Sequence, residues 1–196
     1  MDFFEVIRNR RSIRRFKSDP VPRAEMLKIL DAANWAPSAL NLQPWEFLVV
    51  SGAKKNMLGS NYGKIAEDYT KDWDIAPDKK GFMARQEFIQ FANVYGGAPV
   101  VVVVLIEAHK EPRYQKAFLE SASAAMENML LAATALGLGG CWMTGPLAGE
   151  SYLREILSIP DNREIVAISP VGYPLAVPEA RPRLDPDLTR KVSWLE

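Results

Sequence analysis

Apolar residues at helical spacing predict two helices near the start of the chain. In residues 2–9 the apolar positions follow Asp2, whose short carboxylate suits a helix N-cap. In residues 22–35 the apolar positions again recur every three to four residues, and Pro22 suits the first turn of a helix. The run EFLVV at residues 46–50 then predicts a strand.

The middle of the chain carries the strongest strand and helix patterns. Residues 100–106 (VVVVVLI), bounded by Pro99, are largely β-branched, which predicts a buried central strand. Residues 113–136 form the longest predicted helix, and its second half, residues 129–136 (MLLAATAL), is apolar on all sides. Because one small domain rarely covers a helix completely, that half indicates a dimer. Gly137 is expected to end the helix as a C-cap.

The remaining segments are a short helix, a strand, an irregular region and a proline-rich tail. Residues 150–157 predict a helix and residues 165–171 a strand. Residues 53–95 are polar, charged and irregular, with helical patches such as residues 83–91, and we expect a lid or a partner-contacting excursion there. Prolines recur about every four residues from position 170, which predicts an extended C-terminal arm that adds to a neighbouring subunit. Apolar residues scattered among the charges of the irregular region are Trp73, Ile75 and Phe82.

Composition and charge exclude several classes of protein. The 196 residues are 48% hydrophobic and 24% charged, which predicts one globular domain over residues 1–196. Lys plus Arg and Asp plus Glu both number 24, so no net field favours nucleic acid or a membrane surface. No apolar run approaches the length of a membrane span, and no targeting signal is visible. A single cysteine, Cys141, fits a reducing, cytoplasmic location, and with one histidine it leaves no metal site of the ordinary zinc type within a chain.

Two groups of arginines are candidates for binding a phosphate. Residues 8–17 contain six cations, and a solvated basic helix end or a nucleic-acid arm would explain them without a small ligand. Ile13 and Phe16 interleave with these cations, which favours a packed segment over a free arm. No glycine-rich phosphate loop is present, so side chains would have to hold a phosphate, and arginine suits that task. A second pair, Arg181 and Arg183, lies in the proline-rich tail.

Two loops are candidates for binding a flat ring. Residues 37–45 (PSALNLQPW) supply neutral donors and acceptors that suit a heterocycle, although a buried turn would explain them equally well. Residues 136–146 (LGLGGCWMTGP) contain glycines that permit close backbone approach. This second loop is either a helix C-cap that needs no ligand or a site in which residues 142–145 present main-chain groups to a ring.

Taken in order, four motifs resemble those of the FMN-dependent nitroreductase family. They are RRSIR at residues 10–14, the loop at residues 37–45, LGLGGCWMTG at residues 136–145, and GYP at residues 172–174 followed by RPR at residues 181–183. The second motif departs from the family pattern because Ala39 stands where a second serine is usual. The four motifs cover the chain from end to end, and residues 53–95 match the family poorly.

The resemblance implies a fold, an assembly and a set of binding residues. The implied fold is α+β, with a central, mostly antiparallel sheet flanked by helices and a C-terminal arm exchanged in a homodimer. FMN would be held at its phosphate and ribityl end by Arg10, Arg11, Ser12, Arg14, Arg181 and Arg183. The partner subunit would line the ring with Pro37, Ser38, Ala39 and Asn41. Trp142, Met143, Thr144 and Gly145 would run past its reactive edge. Several relatives carry an acidic residue where Thr144 stands, so the contact to the flavin N5 atom stays open.

The implied function is an NAD(P)H-dependent reduction of nitroaromatics, quinones or related small-molecule acceptors by ping-pong hydride transfer through FMN. The cofactor would supply the chemistry, and we assign no catalytic residue. An alternative keeps the fold for a specialised reaction: enoate-type reduction, reductive dehalogenation or flavin processing. A further alternative is a non-catalytic nucleotide or nucleic-acid binder built on residues 8–17. The physiological acceptor and the choice between NADH and NADPH stay open.

Overall fold

The computed structural model of the chain describes residues 2–73 and 83–196. Within these residues the helices are α1 (Phe3–Asn9), α2 (Arg23–Asn34), α3 (Gly52–Tyr69), α4 (Arg85–Val94), α5 (Pro112–Ala135) and α6 (Glu150–Leu157). The strands are β1 (Trp45–Ser51), β2 (Val100–Glu107), β3 (Gly139–Gly140) and β4 (Arg163–Gly172). Every helix and strand predicted outside residues 53–95 is present, with ends shifted by one or two residues.

The strands form one antiparallel sheet in the order β1-β2-β4-β3. Strand β2 is central, and Val103 faces Leu48 of β1 on one side and Ile168 of β4 on the other. Alternate side chains of β2 point to opposite faces of the sheet, as the two-residue period of a strand requires. Two buried clusters result, one with α3, α4 and α6 and one with α2 and α5. The predicted α+β class with a central antiparallel sheet is confirmed.

Local signals set the helix ends as expected. The Asp2 carboxylate accepts a hydrogen bond from the Glu5 amide at 2.9 Å, and the Glu5 carboxylate accepts one from the Asp2 amide at 3.1 Å. This reciprocal pair is a capping box at the start of α1. At the end of α5, Gly137 has φ +74°, and the Leu138 amide donates to the Ala133 carbonyl at 2.8 Å. The predicted glycine C-cap is therefore confirmed as a Schellman motif.

The interpretation of residues 53–95 as largely irregular is wrong, whereas the helical patch predicted at residues 83–91 is confirmed as part of α4. Helices α3 and α4 occupy most of this region and pack closely against each other. Leu58, Tyr62 and Ala66 of α3 recur every four residues and are buried, so α3 contributes a full side of the core. Trp73 packs on Phe88 with ring centroids 5.3 Å apart. Ile75 and Phe82 lie outside the described residues.

Apolar side chains in the C-terminal residues and at the end of α5 are exposed to solvent in a single chain. Residues 176–183 carry no regular secondary structure, in agreement with the predicted extended arm, and Trp194 and Leu195 are 85% and 96% exposed. In α5, Met129 and Ala133 are buried, whereas Leu136, just past the helix end, is exposed. Exchange of the arm between two subunits stays a prediction. No helix among the described residues combines the length and the apolar character needed to cross a membrane.

Candidate functional site

The arginine-rich segment after α1 runs alongside β3. Ser12 forms a parallel bridge with Gly140, and the Ile13 amide donates to the Gly140 carbonyl at 2.9 Å. A Cβ atom at Gly139 would come within 2.4 Å of the Ile13 side chain, so a glycine is needed for this approach. Ile13 and Phe16 are both buried. The segment is thus part of the core, which argues against a free basic arm.

The residues after β3 continue along the edge of the sheet. The Met143 amide and carbonyl both bond to Ile168 of β4 at 2.9 Å, and the Cys141 amide donates to the Ser169 hydroxyl at 3.2 Å. Met143 and Cys141 are buried, whereas Thr144 is exposed where the chain leaves the sheet. The sheet therefore fixes the position of residues 142–145, of which Trp142, Thr144 and Gly145 are exposed.

A cavity of about 460 Å³ lies between residues 142–145 and the helices α3 and α4. Its walls are largely apolar and contain several aromatic rings, as is common for sites that hold a flat organic ligand. Five predicted binding residues line it: Arg14, Trp142, Met143, Thr144 and Gly145.

The opposite wall of the cavity comes from residues that sequence reasoning missed. Tyr62 and Tyr69 of α3 and Phe88 and Phe91 of α4 line it. The ring of Tyr62 meets Phe88 edge to face, with centroids 6.2 Å apart and an interplanar angle of 84°. The sequence did contain a signal for α3, because the apolar positions of residues 58–69 follow helical spacing.

The predicted arginines at residues 10 and 11 have different surroundings. Arg10 Nε lies 3.4 Å from the Glu127 carboxylate on α5, and both side chains are partly exposed. Arg11 instead turns back on the chain and donates from one guanidinium nitrogen to the carbonyls of Arg8 at 2.5 Å and Arg10 at 2.9 Å. Arg11 thus serves the end of α1 in this structure, and Arg10 keeps a carboxylate as its neighbour.

Cys141 marks the point where several predicted binding residues meet. Burial raises the pKa of its thiol, and Arg14, a hydrogen bond with Ser12 and Arg10 each offset part of that rise. The thiol is therefore neutral near neutral pH. Cys141 lines the cavity, and Arg10, Ser12 and Arg14 are all close enough to it to influence the pKa of its thiol.

The loop at residues 37–41 lies on the other face of the sheet. The Ala39 amide donates to the Ser121 hydroxyl of α5 at 3.1 Å, and Ala36 belongs to the cluster formed by α2 and α5. Positive φ angles occur in or next to this loop at Leu40 (51°), Asn41 (56°) and Gln43 (48°). Such backbone is costly for residues other than glycine and is often found at functional sites. Within one chain the cavity is not bordered by Pro37, Ser38, Ala39 or Asn41.

The tail arginines also lie away from the cavity. Arg181 and Arg183 are exposed in the arm, and neither makes a hydrogen bond or an ion pair with the described residues. Within a single chain, the tail arginines therefore do not meet the arginines of residues 10–14 at the cavity, and the two groups do not bind one phosphate together.

Comparison with known proteins adds a family and several relatives. The family model described as the nitroreductase family matches residues 7–173. A protein of Methanothermobacter thermautotrophicus, provisionally named NADH dehydrogenase/NAD(P)H nitroreductase, is 34% identical, with 99% of this chain and 88% of that protein covered. An iodotyrosine deiodinase of Thermotoga neapolitana is 30% identical, with 87% and 88% covered. The solved structure of an FMN-dependent nitroreductase of Clostridium difficile is 27% identical, covers 99% of both chains and superposes with a TM-score of 0.70.

Proposed function

The chain belongs to the nitroreductase family, and we propose that it is an FMN-dependent oxidoreductase that uses NADH or NADPH. Its substrates would be nitroaromatics, quinones or related electron acceptors, reduced by ping-pong hydride transfer. The observation that carries the proposal is the meeting of two distant segments: Arg14 and residues 142–145 border the same cavity. These are the segments in which family resemblance placed the phosphate and the ring.

The residues around the cavity fit FMN. The volume of about 460 Å³ lies in the range of small-molecule sites, and aromatic side chains line one wall. Arg14 at its edge, with Arg10 and Ser12 close by, offers charge-assisted donors of the kind that hold a phosphate. When bound, FMN supplies the redox chemistry by accepting a hydride from the nicotinamide and passing the electrons to the acceptor.

We also propose that two copies of the chain complete each site. The loop at residues 37–41 lies on the sheet face opposite the cavity, so it reaches a ring only from a second subunit. Large apolar side chains near that loop and in the arm face solvent in one chain, which is typical of an interaction surface. Their exposed fractions are 81% for Trp35, 79% for Leu40 and 85% for Trp194. The partner's arm would bring Arg181 and Arg183 to the phosphate.

The side chains of the site bind and orient, and none of them acts as an acid, a base or a nucleophile in this proposal. Cys141 is buried with a raised thiol pKa, which disfavours the reactive thiolate. His109 does not line the cavity; its Nδ1 accepts a hydrogen bond from the Glu111 amide. We also propose that the 196 residues form a single domain. The single cysteine fits a reducing compartment, so we propose a cytoplasmic location.

A second candidate function is reductive dehalogenation, which the deiodinase relative at 30% identity favours. An amino-acid substrate carries a carboxylate and an ammonium group, and a site for it needs charges of both signs. Among the described residues that line the cavity, Arg14 is charged and no carboxylate is present. This lining favours neutral or anionic acceptors.

The proposal is tested by steady-state kinetics of the purified, FMN-loaded protein. NADH and NADPH are each varied against nitrobenzene, 1,4-benzoquinone and 3-iodotyrosine. We expect turnover with the first two acceptors and parallel double-reciprocal lines, the signature of a ping-pong mechanism. A protein that cannot be loaded with FMN would overturn the proposal, and turnover confined to 3-iodotyrosine would support the second candidate.

A further inference from the structure

The ring of Tyr62 is held firmly between the core and the cavity. Its side chain is 5% exposed, and it stacks on Tyr95 with centroids 5.9 Å apart and an interplanar angle of 24°. Phe88 packs against it edge to face. With contacts on two sides, the ring has little freedom to change rotamer, so the direction of its hydroxyl is fixed by the core.

The hydroxyl of Tyr62 lies at the cavity wall beside Gly145. A Cβ atom built on Gly145 would be 2.9 Å from Tyr62 Oη, so the phenol fills the space that a side chain at residue 145 would need. Among the described residues, this hydroxyl has no hydrogen-bond partner. Its oxygen is not among the fully buried atoms without a partner, which in the described part of the chain are Arg11 Nε and the Tyr95 hydroxyl, so it is open to the cavity. A donor that faces a cavity without a protein partner is available to a ligand or a water.

The hydroxyl is a donor over the whole working range of pH. Burial, and to a smaller extent the neighbouring Cys141, raise the pKa of Tyr62 to about 12, although Arg14 opposes this. The phenol therefore keeps its proton below that value and can donate one hydrogen bond.

We propose that Tyr62 determines acceptor specificity by donating a hydrogen bond from its hydroxyl to an oxygen of a nitro or quinone group that shares this cavity with FMN, on the side formed by α3 and α4. This inference rests on the proposed function and deepens it. Phe88 and Phe91 would pack on the apolar part of the acceptor ring, and Tyr62 would select rings that carry an oxygen at the end nearest Gly145. The role is one of binding and orientation, with the redox step left to the cofactor.

The test compares Tyr62→Phe with Tyr95→Phe, which removes the same hydroxyl one ring further into the core. Tyr95 is fully buried, does not line the cavity, and its hydroxyl also lacks a partner, so it is a matched control. Anaerobic stopped-flow absorbance measures two steps separately for each FMN-loaded variant: reduction by NADH or NADPH, and reoxidation by 1,4-benzoquinone, by nitrobenzene or by ferricyanide. Ferricyanide has no ring oxygen, and it can oxidise the flavin without binding in the cavity.

For Tyr62→Phe we expect reoxidation by the quinone and by nitrobenzene to slow about tenfold, as for loss of one hydrogen bond. Reoxidation by ferricyanide, reduction by the nicotinamide and FMN affinity should match the wild type. The wild-type to variant ratio should stay constant between about pH 6 and pH 9 because the phenol does not titrate there. Tyr95→Phe should behave as the wild type in every step.

Three results would overturn the inference. Unchanged quinone and nitrobenzene rates in Tyr62→Phe would show that the hydroxyl does not touch the acceptor. An equal slowing with ferricyanide, or a slower reduction step, would assign the hydroxyl to the cofactor. An equal slowing in Tyr95→Phe would mean that both hydroxyls act through packing. A wild-type protein that does not bind FMN would instead overturn the proposed function itself.

Discussion

Arg14 is the residue on which the binding account depends most directly. It lies at the edge of the cavity, and its guanidinium Nη1 is 3.5 Å from the Ser12 carbonyl oxygen. The motif that contains Arg14 and the motif at residues 142–145 are more than a hundred residues apart in sequence. Their meeting at one cavity is the structural result that links the proposed phosphate site to the proposed ring site.

Replacing Arg14 with alanine should weaken FMN binding through the phosphate. A charge-assisted hydrogen bond contributes about 1.5–3 kcal/mol, so the Kd for FMN should rise roughly tenfold to a hundredfold. Fluorescence titration of the apoprotein measures this, and riboflavin, which has no phosphate, should be much less affected. Arg15→Ala is a matched control, because Arg15 is exposed one residue further along. Equal losses for FMN and riboflavin would show that Arg14 acts on the ring or on folding.

The two side chains most often used in covalent or acid–base catalysis should prove dispensable here. Cys141 is buried with a raised thiol pKa, and His109 lies outside the cavity. We therefore expect Cys141→Ser and His109→Ala to keep bound FMN and most of the NAD(P)H oxidation rate with 1,4-benzoquinone. If either variant binds FMN normally but loses about a thousandfold in rate (about 4 kcal/mol), that residue takes part in the chemistry.

At the scale of elements, the helix pair α3–α4 shows where sequence patterns fail. The side of α3 that faces α4 contains Gly59 and Gly63, and a Cβ at Gly63 would overlap the Asn93 side chain at 2.1 Å. Glycine within a helix is unfavourable in isolation, so a sequence rich in glycine and charge resembles a loop. Tertiary packing overrides that propensity here, because the absent side chains let two backbones approach closely.

Other elements were predictable for equally specific reasons. Strand β2 is β-branched almost throughout, and α5 ends at a glycine with φ +74°. In the site, motif resemblance pointed to Arg14 and residues 142–145, which border the cavity, because each of them lies in a short contiguous motif. The aromatic wall of the cavity was missed, together with α3, although residues 83–91 of the α4 region were predicted as helical. Which loops meet across a subunit boundary is not encoded in any local pattern.

The helix end at Gly137 gives a prediction about stability. Open space surrounds this glycine, since a Cβ would meet nothing within 4 Å, so its φ of +74° is the only constraint. Gly137→Ala should lower the free energy of unfolding by about 1 kcal/mol, and Gly137→Asn by less, because asparagine tolerates the left-handed region. Urea denaturation of the FMN-loaded protein measures both. An alanine variant as stable as the wild type would show that the Schellman motif does not limit stability.

At the scale of the whole molecule, the two faces of the sheet carry the two halves of the proposed site. The cavity lies with α3 and α4, and the loop at residues 37–41 lies with α2 and α5. One chain therefore cannot surround a ring with both. Two chains related by a two-fold axis would each supply the loop to the other, as closed homodimers do.

We expect a stable homodimer whose arm contributes to the partner's phosphate site. Sedimentation velocity at micromolar concentration should show a dimer with FMN bound. Arg183→Ala should weaken FMN binding about as much as Arg14→Ala, although Arg183 lies away from the cavity in its own chain. A folded monomer that holds FMN with normal affinity would contradict the dimer, and an unaffected Arg183→Ala variant would contradict the role of the arm.

Whether the bound flavin carries electrons from nicotinamide to a small acceptor can be measured by anaerobic titration of the purified, FMN-loaded protein. NADH or NADPH is added stepwise while the absorbance of the bound flavin is followed, and 1,4-benzoquinone is then added without further nicotinamide. We predict that one equivalent of nicotinamide per bound FMN bleaches the flavin and that one equivalent of quinone restores it. A flavin that stays oxidised with both nicotinamides, or that is bleached but not restored by any quinone or nitroaromatic, would contradict the proposed function.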